Sequence, residues 1–583
     1  MKFWPNPHFL SIFALLFFSV FALKSLSTSG FYTSHDGETH TARIAQYFIA
    51  LSDWQIPPRH AASFYSGLGS PIFVYIYPLP YLLGSAVHVL GFSFANSFKI
   101  IMALGFVMSQ VFAYLWFFEF FKSQKAAFLG ALFYVWVPYR LSLVYVRGSL
   151  SELLAYTFLP LAFYALTKLS KQKNPLWIAI SAVSISLILL SQNLVAAITL
   201  PVIFAYVIIL SIFEKSIKYL ALASIAFLWG LALSLVTYLP SLFEIKFTRF
   251  SETIPLAYAN HFITLKQLIS SPWGYGFDLD GSAADAMSFQ IGLAHILILG
   301  TAIFLCTYFF VKKFPFVKKI GRVFVREVEA KSQAVAIFFI AAFLISVVLM
   351  LDIKATRSIW NDFKPLHTID IPWRFLGISS LATAFLAAFV SKTVKSGLIF
   401  ILAILAVVIA NRNNLRINEP VFYSDSHFLN YTGSATQYGE FTPVWRQTTR
   451  VPIGIDPGSK IRSIPQTVDI IGLVASSQKI TFDADVLSQT AEVRINKFYF
   501  PDTDVKVDGK KLKPFSDFSI TGSTSLVIDK DEDGSGMLLI KLAKGLHHID
   551  VAYKETTLRL FADILSLVAF VAALFVIVKY AKK

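Results

Sequence analysis

Apolar runs of about 20 residues, each long enough to cross the hydrocarbon core of a bilayer, recur along nearly the whole chain and constrain it more than any other feature. Candidate spans fall at roughly 9-26, 72-91, 97-121, 126-146, 149-169, 175-190, 193-213, 217-240, 289-311, 332-351, 373-391, 395-411 and 558-580. Of the 583 residues 56% are hydrophobic and only 15% charged, against about 25% charged in an ordinary soluble domain. A soluble multidomain enzyme is excluded, and the expected fold is a polytopic α-helical membrane protein. The segment Met1 to Ser25 reads as an uncleaved first span rather than a signal peptide. The lone cysteine, Cys306, lies inside an apolar run and rules out a disulfide framework or a cysteine-based zinc site within one chain.

Fifty-one basic residues against 35 acidic ones give a net charge of +16. Much of that excess sits in short connections between apolar runs, so it reads as topology and not as nucleic-acid binding. The connection 312-331, with Lys312, Lys313, Lys318, Lys319, Arg322, Arg326 and Lys331 against Glu327 and Glu329, is expected on the cytoplasmic side of a plasma membrane. Residues 27-71, 241-288, 352-372 and 412-557 then fall outside. Thirteen full crossings cannot place both basic ends inside. The weakest candidate is 72-91, interrupted by Pro78 and Pro80. A broken or re-entrant element is tolerated at membrane depth only against protein or a wet cavity, so this one points to a cavity on the outer side.

Three parts are expected: a multi-span part, 1-411, with an outer loop at 27-71; an extracytoplasmic β-rich domain, 412-557; and a final span with a basic tail, 558-583. The outer loop carries an amphipathic helical pattern near Thr39 to Leu51, expected to lie along the interface. Alternation at Ile480-Phe482, Val493-Ile495 and Leu539-Lys541, with D-G turns at Asp508-Gly509 and Asp533-Gly534, predicts a β-sandwich-like fold for the second part, which is expected to be accessory to any activity. Asp529 to Gly534 resembles half of an EF-hand loop, but Ile540 stands where the bidentate glutamate is required, so an acidic hairpin turn is the better reading.

The candidate chemistry lies in His35-Asp36-Gly37-Glu38-Thr39-His40, two carboxylates and two imidazoles beside the first span. A carboxylate there could act as general base on an acceptor hydroxyl, or help hold a divalent cation against a phosphate leaving group; the plainer alternative is a helix cap in a solvated loop. His35 and Glu38 share one zinc-protease spacing, but the next histidine is displaced by one residue and H-E-x-x-H is absent. Arg43 and Arg59 follow in the same loop, and Arg140, Arg147 and Arg374 stand at outer ends of later spans with Glu152 nearby. A guanidinium fork suits phosphate oxygens, so these arginines could converge on a lipid phosphate; snorkelling to lipid headgroups is the alternative for any of them.

Taken together, H-D-G-x-x-H-x-x-R-I at 35-44, I-P-P-R at 56-59, G-L-G-S-P at 67-71, Y-P-L-P-Y at 77-81, R-G-S-L-S-E at 147-152 and P-W-R-F-L at 372-376 resemble the 6-pyruvoyl-tetrahydropterin synthase-related membrane proteins, which look like GT-C-type glycosyltransferases. F-Y-F-P at 498-501, V-D-G-K at 507-510 and G-L-H-H-I at 545-549 are similar to the outer domain of YfhO-like proteins. The resemblance implies a GT-C-like membrane fold with Asp36 as catalytic base or metal ligand and Glu38 as its helper. His35, His40, Arg43, Arg59, Arg147, Glu152 and Arg374 would line the substrate site. The implied donor is a polyprenyl-phosphate-linked sugar and the acceptor a glycan, lipid or protein; metal dependence is left open. Where relatives often carry His-Asn after a mid-chain span, this chain has Gln192-Asn193. A transporter or flippase for a lipid-linked saccharide, or a non-catalytic envelope scaffold, are the other readings. The pterin chemistry in the family name finds no catalytic cysteine outside a span.

Overall fold

The computed structural model describes residues 7–254, 257–277, 287–311, 325–434, 436, 438–446, 458–464, 467–515, 525–528 and 536–581. Most of the basic connection 312-331 and the acidic turn Asp529 to Gly534 lie outside these residues.

Every apolar run becomes helical. Among the described residues nine helices are long and apolar enough to cross a membrane, or up to eleven if two bent pairs count as one span each. The bent pairs are Gln124–Val135 with Pro138–Tyr145 (48°) and Ile217–Leu233 with Leu235–Phe247 (69°). Pro175–Ser191 is a shorter apolar helix; its 17 residues sit at the lower limit for a crossing, and adding it to those eleven gives an even number, which removes the parity conflict. The 72-91 run is interrupted, with Ile72–Tyr75 and Leu79–Val89 flanking an extended Ile76.

Local chemistry explains how these helices tolerate their breakers. Pro160, inside Leu150–Gln172, cannot donate to the carbonyl of Tyr156; the Tyr134 hydroxyl donates to that oxygen instead, at 2.6 Å. The Tyr156 ring lies against the helix Leu376–Thr393 at Gly377, where an added Cβ would overlap the Tyr156 hydroxyl.

The amphipathic segment forms a helix, Gly37–Ser52, but it does not lie along the interface: His40 through Tyr47 are buried. Its polar side is covered by residues remote in sequence, with the Gln46 amide donating to the Leu429 carbonyl. Near it, strand β1 (Phe31–Tyr32) pairs antiparallel with β2 (Pro420–Val421). The first part of 412-557 therefore packs on the membrane helices, and the large sheet begins only at Ile461.

That sheet comprises β3 (Ile461–Ile464), β4 (Val468–Ala475), β5 (Lys479–Phe498), β6 (Thr503–Val507), β7 (Lys510–Leu512), β8 (Pro514–Phe515), β9 (Ser525–Ile528) and β10 (Met537–Tyr553). The long antiparallel pair β5–β10 is its spine, with a register shift between Ala543 and Gly545. On one side of that shift β3 and β9 flank the spine; on the other, β4 and β6 do. Inward residues of both halves, among them Phe482, Val486, Val493, Leu538 and Val551, form one core. The expected turn at Asp508-Gly509 joins β6 to β7, with both residues at positive φ.

Two arginines have structural places. Arg59 forms ion pairs with Glu555 at 3.1 Å and Asp563 at 2.7 Å, tying the first loop to the start of the last span, Thr557–Ala581, and it does not join the other arginines. Arg140 lies under the Tyr134 and Tyr156 rings and donates to Ser109 at 2.9 Å.

Gly377→Ala should lower stability by about 1–3 kcal/mol through overpacking against Tyr156, read as a fall in the melting temperature of detergent-solubilised protein. An unchanged melting temperature would show that the helix contact relaxes freely.

Candidate active site

The site begins where two glycine-bearing loops meet. Gly148 adopts φ +59°, and a Cβ there would lie 3.0 Å from the Gly37 backbone. That close approach lets the chains pair: the His35 amide donates to the Val146 carbonyl at 3.1 Å and the Asp36 amide to the Arg147 carbonyl at 2.7 Å. Asp36 occupies the N-cap position of Gly37–Ser52, yet its side chain makes no capping bond. Its carboxylate stands 3.5 Å from the Arg147 guanidinium.

From Arg147 a chain of charges runs inward. Arg147 pairs with Glu152 at 2.8 Å and stacks over Trp373, 4.9 Å from the ring centre. Glu152 also contacts Arg374 and accepts from the Tyr139 hydroxyl at 2.9 Å. Arg374 in turn donates to both oxygens of Asp370, at 2.9 and 3.1 Å. The side chain of Glu152 is 1% exposed and that of Asp36 is 43% exposed. One carboxylate is fully committed to holding arginines, and the other is open.

It opens into a cavity of about 840 Å³ whose wall includes His35, Asp36, His40, Arg43, Arg147, Glu152 and Arg374. The interrupted element contributes Tyr75, Ile76 and Tyr77, and the end of one span contributes Gln192 and Asn193. Gln192 caps its own helix through Leu194, and Asn193 donates to the Tyr75 carbonyl at 3.3 Å. Arg43 is fixed by the Tyr81 hydroxyl at 2.9 Å. His35 stacks on Phe277, with centroids 4.5 Å apart.

Glu38 is not brought to the cavity. On the next face of the helix it pairs with His427 at 2.7 Å and accepts from Tyr423 at 3.5 Å. The expected helper of Asp36 is thus turned to other partners and does not line the cavity. Among the described residues no group of three or more His, Cys, Asp or Glu is arranged to hold a metal ion. Asp36 and the described residues around it do not by themselves make a protein-held cation site.

Electrostatics sort the titrating groups. Enclosure acts to raise the Asp36 pKa, but its neighbours, the Arg147 guanidinium above all, outweigh it and hold the carboxyl below its ordinary range. Burial, with Arg43 adding to it, pushes His40 down to about 3, so it is neutral at physiological pH. Burial likewise lowers His35. Asp370 moves the other way: burial raises it to about 6 against the pull of Arg147. Asp370 was not singled out in the sequence, and Trp373 only as part of the motif P-W-R-F-L, although Asp370 stands four residues before Arg374, the spacing at which two side chains meet along one helical turn.

A phosphodiester carries a constant charge across this range, so its binding should strengthen as pH falls through about 6 and Asp370 becomes neutral. In Asp370→Asn the binding should be strong and flat over that interval, as measured by thermophoresis with a labelled lipid phosphodiester. A persisting inflection near pH 6 in the variant would assign the titration elsewhere.

Residues 73–418, more than half of the chain, match the family described as 6-pyruvoyl-tetrahydropterin synthase related domain, a membrane protein. A search of curated protein sequences returns no match. Among solved structures, the arabinofuranosyltransferase AftD from Mycobacteria aligns at 14% identity with a TM-score of 0.41, over 70% of this chain and 27% of that one. A mutant form of the same protein aligns at 14% identity with a TM-score of 0.36, over 69% of this chain and 28% of that one. The chain thus spans about a quarter of the length of the protein it aligns with.

Proposed function

The chain belongs to the 6-pyruvoyl-tetrahydropterin synthase-related family of membrane proteins, and from that premise we propose that it is a membrane glycosyltransferase. It moves a sugar from a polyprenyl-phosphate-linked donor to an acceptor hydroxyl at the outer face of the plasma membrane. The observation that carries this reading is the contrast within one cavity between an open, ionised carboxylate, Asp36, and a buried arginine pair, Arg147 and Arg374, held by Glu152 and Asp370.

The geometry supports a division of labour. Asp36 accepts the proton of the acceptor hydroxyl as its oxygen bonds to the anomeric carbon. The bond from that carbon to the phosphate oxygen breaks, and the electron pair leaves on the phosphate. Arg147 and Arg374, preorganised by their carboxylates, stabilise the charge that develops there. His40 is neutral and leaves the field to the arginines.

The cavity also suits a lipid-linked donor. Its wall includes Leu194 and Ala197 on one helix and Ser241, Leu242 and Ile245 on the bent one. Leu242 is 73% exposed, and Ala197 is exposed as well. An apolar chain can therefore leave sideways toward the bilayer while its phosphate faces the arginines.

Asp36→Asn should abolish glycan transfer in membranes while expression and melting temperature stay normal; retained transfer would remove Asp36 from the chemistry. Native mass spectrometry of the purified protein should show binding of polyprenyl-phosphate sugars that is lost in Arg147→Ala and Arg374→Ala. Translocation of a labelled lipid-sugar that survives Asp36→Asn, without transfer, would favour a flippase instead.

A further inference from the structure

One edge of the sheet carries an apolar surface that water does not explain. In β4, Ile471, Leu473 and Val474 are 53%, 44% and 65% exposed. The strand reaches this state through a bulge: the β4–β5 register shifts between Ile471 and Val474, and Gly472 adopts φ +64°. The bulge turns consecutive apolar side chains outward on a strand whose recorded partner is β5 alone. An unprotected apolar edge invites aggregation in water.

A second exposed apolar group lies beside it. Trp54 is 81% exposed and Ile56 is 66% exposed. Trp54 adopts φ +60°, a conformation rare for a bulky residue. The turn between β4 and β5 is fastened next to it: the Ser477 amide donates to the Asp53 carboxylate and the Gln478 amide group to the Asp53 carbonyl, both at 2.7 Å.

The position of both groups relative to the bilayer follows from Arg59, three residues beyond Ile56, which holds Glu555 and Asp563 around the start of the last span. That helix has 25 residues, about 37 Å at 1.5 Å per residue against a hydrocarbon core of about 30 Å. The overhang of about 7 Å puts the first turn, with Arg559 and the preceding Glu555, at the headgroup level, and the loop bound to Glu555 stands beside it. Tryptophan is the side chain most at home at that level.

We propose that Trp54, Ile56 and the membrane-proximal end of β4, at Leu473 and Val474, form a foot on which the sheet rests at the boundary between headgroups and acyl chains. The partner is the lipid surface itself, continuous with the surface around the last span. The foot sets the tilt of the sheet over the membrane helices, and it does not depend on the transferase reading.

The test uses the full chain in liposomes, in a Cys306→Ser background, with single cysteines at Trp54→Cys and Val474→Cys carrying an environment-sensitive fluorophore. Lys544→Cys, exposed near the register shift of the long hairpin, is the water-facing control. Lipids bearing a nitroxide near the headgroup should quench the probes at 54 and 474 several-fold more than the control, and aqueous iodide several-fold less. Iodide quenching at 54 and 474 equal to the control would overturn the proposal. So would protection from both quenchers, which would mean that protein covers the patch. The two independent sites keep the result readable if one variant misfolds.

Discussion

Glu152 is the constraint around which the cavity is organised. A carboxylate with 1% exposure is tolerable in a low-dielectric interior only when its charge is matched and its lone pairs are occupied. Arg147, Arg374 and the Tyr139 hydroxyl do this from three different segments, so the helix bearing Glu152, the loop before it and the turn at Pro372–Phe375 must meet at one point. Asp370 then compensates the second arginine. Once these groups are committed, Arg147 reaches Asp36 only at 3.5 Å, and the carboxylate at the cavity surface stays accessible. Structural and reactive charge are kept apart within one network.

A second network fixes the cavity from outside. Arg559, on the last span, holds Glu244 at 2.6 Å and Asp502 at 2.6 Å. Asp502 also meets His60 at 2.7 Å, and His60 stacks on Tyr553. Burial drives His60 down to about 4 and outweighs the pull of Asp502. Glu244 closes the bent helix that lines the cavity, and its backbone carbonyl accepts from Tyr75, another wall residue. The sheet, the last span, the first loop and the cavity wall thus share one set of ion pairs.

What could be read from the sequence follows from range. Helices announced themselves by apolar runs, the interruption at 72-91 by Pro78 and Pro80, and the sheet core by alternation at 480-482 and 493-495; each is decided within a few residues of itself. The meeting of Asp36 with Arg147 was legible in part, because the acidic loop and the arginines at outer ends of later spans were expected at one site. The fates of Glu38 and Arg59 were not: their partners His427 and Glu555 lie 389 and 496 positions away. The same reason buried the helix Gly37–Ser52. Amphipathicity shows that one face is apolar, but it cannot show that Leu429 and its neighbours will cover the other.

These long-range pairs bear on whether the sheet is accessory. Removing it would take Asp502 from both Arg559 and His60. Arg559 would retain Glu244, but the His60 ring would lose its recorded hydrogen-bond partner. The Tyr553 ring that covers His60 and lies 3.5 Å from the Lys497 ammonium would also be gone. The loop 53-60 carries those contacts and continues into the helix begun by Asp36 only through the buried residues of Gly37–Ser52. A sheet that contributes no described residue to the cavity wall can still bear on the cavity, because it supplies a counter-charge, Asp502, to Arg559 on the last span.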